Sequence, residues 1–196
     1  MSSTELSTHD RILETTWHLM EKNRGQGVDI ADIAKAAGVS RQAVYLHFKS
    51  RTELLIATTH YIDKTLNFNE SILEACRPST GTVSLEDFVQ IWGNYIPQIY
   101  GSAKAILFAR ETDESAAEAW DTRMDDLRSG LRIILSQIEG AGELAPGWTL
   151  DEAIDFAWAQ LSIRMWENLT IERGWSQQQY IARTQQTLKQ MLLKSV

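Results

Sequence analysis

Residues 29–48 read Asp29-Ile30-Ala31-Asp32-Ile33-Ala34-Lys35-Ala36-Ala37-Gly38-Val39-Ser40-Arg41-Gln42-Ala43-Val44-Tyr45-Leu46-His47-Phe48. The stretch predicts two short helices joined by a tight turn, the unit that sets a helix into the DNA major groove. Asp29 is placed to accept from the free amides of a first turn. Ile30, Ile33, Ala34 and Ala37 recur at helical spacing and give the first helix one apolar face. Gly38 ends that helix, because glycine takes the left-handed backbone of a helix C-terminus without steric cost. Val39 plugs the turn and Ser40 caps the second helix, which turns Val44 and Phe48 inward. That leaves Arg41, Gln42, Tyr45 and His47 on its other sides. Arginine and glutamine pair bidentately with base edges, while Ser, Tyr and His reach phosphates. Ser40, Arg41, Gln42, Ala43, Tyr45, His47 and Lys49 are therefore the expected DNA contacts. For His47 a capping or packing role stands beside the DNA role.

Working outward, Ala37-Gly38-Val39-Ser40, then Val44-Tyr45-Leu46-His47-Phe48 and Lys49-Ser50-Arg51-Thr52-Glu53-Leu54-Leu55, resembles the N-terminal domain of the TetR family of transcriptional regulators. The likeness in motif runs from about Arg11 to Leu55; beyond it only length and the helical pattern agree with the family. Arg51 stands where many members have lysine, and Asp29 where a Thr or Ser cap is commoner. Both substitutions keep the physical role. The resemblance implies an all-α chain of about nine helices. A three-helix helix-turn-helix DNA-binding domain, residues 1–51, is followed by a helical effector-binding and dimerisation domain, residues 52–196.

The chain has 196 residues, 43% hydrophobic and 23% charged, with a net charge of −7. Such a length buries a substantial core, and the composition is that of an ordinary soluble globular protein. No apolar run approaches the ~20 residues of a membrane-spanning helix, and the polar N-terminus is not a signal peptide. Cys76 is the only cysteine, which excludes an intrachain disulfide and a multi-cysteine zinc site and fits a reducing cytoplasm. The negative charge is unevenly spread. Through residue 55 seven basic and seven acidic side chains balance, so the remainder carries the whole −7. Such asymmetry marks one part as the one that meets nucleic acid. Lys49 and Arg51 cluster just past the recognition helix, where phosphates would lie.

Prolines occur only at 78, 97 and 146, and alternating β-branched runs are absent. Beyond the two short helices, the pattern predicts a first helix over 8–23, ended by 24–27, and a long one over 52–75. A loop over 77–83 precedes a cap at Ser84. Helices follow over 85–100, kinked or restarted near Pro97, then 102–111, 115–139, 149–173 and 176–194.

The segment 149–173 carries two apolar stripes, one with Ile154, Trp158, Leu161 and Met165 and one with Phe156, Ala159, Ile163 and Trp166. A surface helix needs one such face, so a second implies burial against another body. Phe156, Ile163, Trp166, Ile181, Leu188 and Leu192 are the residues expected at a homodimer interface; a helix buried on both sides within one subunit is the alternative. Trp92, Tyr95, Ile99, Phe108, Trp120, Met124 and Trp158 would converge if their helices bundle. They form either a core or a pocket for a flat or apolar effector. No nucleophile elbow, phosphate loop or His-Glu-x-x-His occurs. His60 and Asp63 share a face without a third ligand, and neither an enzyme activity, a metal nor a cofactor is expected. The expected function is that of a cytoplasmic, DNA-binding transcriptional regulator. It is expected to be a repressor that binds a palindromic operator as a homodimer and releases it on binding a small molecule, away from any membrane. The alternative is a helical dimeric binding protein whose motif serves protein contacts, or a DNA binder without a ligand response.

Overall fold

A computed structural model of the chain describes residues 6–26, 28–77 and 81–194. These residues form α1 (Thr8–Lys22), α2 (Ile30–Ala36), α3 (Arg41–His47), α4 (Arg51–Thr65), α5 (Phe68–Ala75), α6 (Gly81–Ala109), α7 (Glu114–Gly140), α8 (Leu150–Gln160), α9 (Ile163–Trp166) and α10 (Gln177–Leu192). A π-helical segment, Glu167–Glu172, continues from α9. Among the described residues the only β-type pairing is an isolated bridge between Leu144 and Leu193. The chain is all-helical, as its sequence pattern requires.

Four element boundaries differ from the sequence expectation. The helix expected over 52–75 breaks where Asn67 adopts a left-handed backbone at φ 49°, a conformation asparagine tolerates better than most side chains. The helices expected over 85–100 and 102–111 are one: α6 runs through Pro97 and Gly101, and the Gln177 side chain donates to the Gly93 carbonyl that the proline leaves without an amide. The segment 149–173 is broken by Ser162, whose extended backbone ends α8 and whose hydroxyl accepts from the Met165 amide at 3.2 Å to start α9. Gly81 is already helical, so Ser84 lies buried inside α6 rather than at its start. Residues 27 and 78–80 of the expected turn and loop lie outside the described residues.

The chain divides into two compact units: residues 1–67 with 98–122, and 68–97 with 123–196. The divisions inside α6 and α7 fall at Pro97/Gln98 and Thr122/Arg123. In the first unit, Ile12, Leu13 and Met20 of α1 meet Ile33, Val44, Phe48, Leu54 and Leu55, with Ile106 and Ala116 completing the core. Two glycines let α1 approach α6 backbone to backbone. A Cβ on Gly101 would lie 2.2 Å from the Met20 carbonyl oxygen, and one on Gly25 would lie 2.5 Å from the Gly101 carbonyl oxygen. Over this contact the Glu21 carboxylate accepts from the amides of Gly101 (2.7 Å) and Ser102 (3.0 Å) and from the Ser102 hydroxyl (3.0 Å). The Trp17 indole donates to the Gln98 carbonyl at 2.8 Å. Burial pushes the Glu21 carboxyl above its ordinary value, opposed by those hydrogen bonds. Asp113 caps α7 through the Ser115 and Ala116 amides and also accepts from the Thr52 hydroxyl, which ties α4 to the start of α7.

In the second unit, Leu85, Phe88 and Ile96 of α6, Leu131, Ile134 and Ile138 of α7, Ile154 and Leu161 near α8, and Tyr180 and Leu188 of α10 form the core. Thr149 and Glu152 form a reciprocal capping box at the start of α8. The chain end is fastened by the amides of Ala145 and Lys194, which donate to the Leu192 and Glu143 carbonyls at 2.8 and 2.9 Å.

Two glycine substitutions should separate close approach from helix propensity. Gly101→Ala forces α1 from α6 and should destabilise by about 1–3 kcal/mol, a fall in Tm of roughly 2–10 °C. Gly140→Ala, where an added Cβ meets nothing within 4 Å, should stabilise by up to about 1 kcal/mol. The Glu21 carboxyl also sets a sign. Its folded pKa is raised, so its favourable contribution is fullest below the unfolded value and is lost as pH rises through the folded one. The stability of wild type relative to Glu21→Gln should therefore fall from about pH 4 toward pH 7, measured by thermal melts across that range.

Candidate nucleic-acid interface

The turn between α2 and α3 is built from backbone bonds that only a glycine at position 38 closes without strain. The Val39 amide donates to the Ala34 carbonyl at 2.9 Å and the Gly38 amide to that of Lys35 at 3.3 Å, with Gly38 at φ +67°. This pair of bonds is the Schellman ending of a helix. A Cβ there would touch nothing within 4 Å, so the requirement is conformational and not one of space. Asp29 and Ser40 cap the two helices, their side chains accepting from the amides of Asp32 (2.9 Å) and Ala43 (3.0 Å). Arg11 of α1 donates to the Ala37 carbonyl at 3.1 Å, which ties the end of α2 to α1.

With Val44 and Phe48 buried, α3 presents Arg41, Gln42, Tyr45, Leu46 and His47 exposed, and Ala43 half-buried. Tyr45 and Leu46 lie three and four residues after Gln42 and share the outward face with it. Leu46 is 81% exposed and Tyr45 47%. The sequence reading passed over Leu46, although an apolar side chain on the face opposite two buried anchors was a usable signal. Apolar contact with a thymine methyl is the chemistry such a residue offers DNA. His47 is exposed, its ring 5.9 Å from that of His9, which lies 5.0 Å from the Phe48 ring. Asp10, beside this cluster, has its carboxyl held below the ordinary value, first by its hydrogen bond to His9 and then by that to Ser7.

Lys49 is exposed, and its backbone amide donates to the Glu53 carboxylate at 2.7 Å, which fixes the chain entering α4. Arg51 donates its Nε to the Val28 carbonyl at 3.3 Å, which ties the start of α4 to the approach to α2.

The other expected sites are distributed differently. Trp92, Tyr95, Met124 and Trp158 belong to the second unit, whereas Ile99, Phe108 and Trp120 belong to the first. Phe108 is 83% exposed, while Ile99 is buried and Trp120 packs partly against the first unit's core. In the second unit Phe68 stacks on Tyr95 at a centroid distance of 3.8 Å, with Trp92 at 5.9 Å from both rings. Arg123 donates to the Tyr95 hydroxyl at 2.8 Å, and the Trp158 indole to the Met124 carbonyl at 3.3 Å. The residues expected at a dimer interface are largely interior to their own subunit. Leu188 and Leu192 are fully buried, Ile163, Trp166 and Ile181 nearly so, and Phe156 alone is half-buried, against Trp148. Of the second apolar stripe, Ile163 and Trp166 are buried, Phe156 is half-buried and Ala159 is exposed. The outward face of α10 carries Gln179, Ala182, Arg183, Gln186 and Gln190 instead.

Residues 12–58 match the family model of the bacterial regulatory proteins of the tetR family. The curated relative EthR of Mycobacterium tuberculosis, described as an HTH-type transcriptional regulator, is 28% identical over 117 residues, 58% of this chain. The match spans 53%, about half, of that relative's length. A structure from Saccharomonospora viridis in complex with choline aligns with a TM-score of 0.82, at 17% identity, over 95% of this chain and 98% of the other. The SmeT–triclosan complex aligns with a TM-score of 0.74, at 16% identity, over 97% and 93%. Among the described residues no helix is long and apolar enough to cross a membrane.

The Ser40 cap provides a test of how the recognition helix is held. Ser40→Ala should lose about 1 kcal/mol of stability through the unsatisfied first-turn amides of α3. Urea unfolding should register this as a shift of midpoint without a change of slope.

Proposed function

We propose, from the match of residues 12–58 to the family model of the bacterial regulatory proteins of the tetR family and from the likeness to EthR, that the chain is a member of that family and a sequence-specific DNA-binding transcriptional regulator, acting as a repressor. The observation that carries this reading is the outward face of α3. Three side chains with base-reading chemistry, Gln42, Tyr45 and Leu46, stand free on a helix anchored from behind by Val44 and Phe48. Buried packing has no use for them, and the major groove uses each. Arg41, Ala43, His47 and the Ser40 hydroxyl flank them, with Lys49 as the phosphate contact. Residues 1–51 carry DNA binding in this reading, and residues 52–196 carry regulation and self-association in the cytoplasm.

One recognition helix per subunit reads a half-site, so the operator is palindromic and the protein acts as a homodimer. Because Tyr180, Ile181, Leu188 and Leu192 of α10 are buried within the subunit, the two-fold contact falls on its outward face, glutamine-rich and carrying the exposed Met191, and on the half-buried Phe156. The effector is a small, largely apolar or aromatic molecule that binds the second unit near Phe68, Trp92, Tyr95, Met124 and Trp158, and lowers DNA affinity. Support comes from the concentration of aromatic groups there and from the choline and triclosan complexes of structural relatives. Effector binding shifts affinity only by its differential preference for the two states.

Selection of bound duplexes from random DNA tests the reading and delivers the operator. Tyr45→Ala, Gln42→Ala and Leu46→Ala should each weaken binding to the selected duplex by about 1–3 kcal/mol and relax one position of the half-site. Lys49→Ala should weaken all sequences alike and lower the salt slope by about one. Recovery of no enriched sequence, or wild-type binding by both the Tyr45 and Lys49 variants, removes the DNA-docking model.

A further inference from the structure

The start of α1 meets the end of the recognition helix through two imidazoles. Ser7 caps α1, its hydroxyl accepting from the Asp10 amide at 3.1 Å, and His9 stands in the first turn. The His9 ring lies 5.0 Å from that of Phe48, the buried anchor behind α3, and 5.9 Å from that of His47. Both histidines are exposed, as is Lys49 two residues on. These groups all belong to the first unit.

What His9 can offer there is set by its neighbour. Its Nδ1 lies 3.1 Å from Asp10 Oδ1. An ionised carboxylate only accepts hydrogen bonds, so Nδ1 is the nitrogen that carries the hydrogen. The Asp10 carboxyl is held below its ordinary value, first by this bond and then by that to Ser7, and so stays ionised where histidine titrates. With the tautomer fixed in this way, Nε2 is the remaining polar atom, and it has no partner among the described residues. A neutral His9 therefore presents a lone pair at Nε2, which a phosphate oxygen cannot use. A protonated His9 presents an N–H and a positive charge.

The other charged groups around the pair are Asp10, Lys49 and, from α4, Lys64, which acts on Asp10. Tyr61 of α4 faces Asp10 and Glu14, and burial first of all pushes its hydroxyl above the ordinary value. Histidine is the side chain that ordinarily changes charge between about pH 5 and 8. Two protonated imidazoles so close repel, and an anion between them turns that repulsion into attraction. Beside a helix aimed at the major groove, the anion at hand is a backbone phosphate.

We propose that His9 is a phosphate contact supplied by α1 that grips only when protonated, so that His9 and His47 together hold one phosphate of the operator and DNA binding takes up protons. The inference rests on the regulator reading and adds to it a residue and a pH dependence. Affinity is fullest below the ordinary histidine value of about 6.5 and is lost as pH rises through the higher value that bound phosphate imposes.

The salt dependence of binding counts charged phosphate contacts and reads this directly. The full-length protein is titrated with the duplex recovered from random-DNA selection. Its plot of log affinity against log salt should be steeper by about two at about pH 6 than at about pH 8, because each imidazolium on a phosphate releases about one counterion. His9→Gln, which takes no proton, should reduce that difference to about one. His9→Lys, charged at both pH values, should reduce it likewise, but with a slope at the higher pH already about one steeper than that of wild type. A merely structural His9 would change affinity without changing either slope. Wild-type slopes that are equal at the two pH values overturn the inference and leave the regulator reading intact. So does a His9→Gln or His9→Lys protein with the two slopes of wild type. Selection that enriches no duplex overturns the regulator reading, and this inference with it.

Discussion

The backbone of α1 lies directly on the backbone of α6, and the first unit depends on that contact. Met20 carbonyl and Gly101 Cα meet where even a methyl group would not fit. A contact so close transmits displacement with little slack, because packed backbones have no rotamers through which to yield. Arg11 fastens the end of α2 to α1, and Thr52 fastens the start of α4 to the cap of α7. Each short helix is thereby referred to a longer one. The carboxylate of Glu21 sits at the centre of this arrangement and bears a desolvation penalty for doing so.

A seven-residue helix such as α3 is far below the length that is stable alone in water. It persists because both ends are fixed. Ser40 caps its start, Phe48 leaves it in an extended conformation, and Val44 and Phe48 sink into the core behind it. Only two of its side chains are spent on holding it in place. The rest are left for recognition, which is why so short an element can carry three outward residues with base-reading chemistry.

The second unit solves a different problem. Its long α6 contains a proline, its α8 stops at Gln160, and its last turns widen into a π segment, so several main-chain carbonyls lose their regular donors. The replacements are indole and amide groups: Trp92 donates to the Leu161 carbonyl at 2.6 Å and Gln177 to that of Gly93, while Trp158 adds a bond to the Met124 carbonyl inside α7. The abundance of tryptophan in this chain therefore reflects donor chemistry as much as apolar bulk. That dual use explains why composition alone did not separate pocket from core. The side chains that make an aromatic cluster are also the ones that mend the backbone around it.

What residues 29–48 determine by themselves is local. The caps at Asp29 and Ser40, the left-handed Gly38 and the i, i+4 pair Val44 and Phe48 depend on neighbours within one or two turns, so a reader of the chain can place them. The same holds for the all-helical class and for most helix ends. The interior position of Leu188, Leu192 and Ile163 was decided only in three dimensions, because an apolar stripe shows that a face is covered and not by what. The bond from Arg51 to the Val28 carbonyl was likewise not legible, since its partner is a backbone group 23 residues away. Leu46 was overlooked because a leucine in a helix is usually inside, and only its two buried neighbours turn it outward. The seat of Glu21 on Gly101 and Ser102 left no trace in sequence at all, since its partners lie 80 residues away and act through backbone amides that every residue but proline possesses.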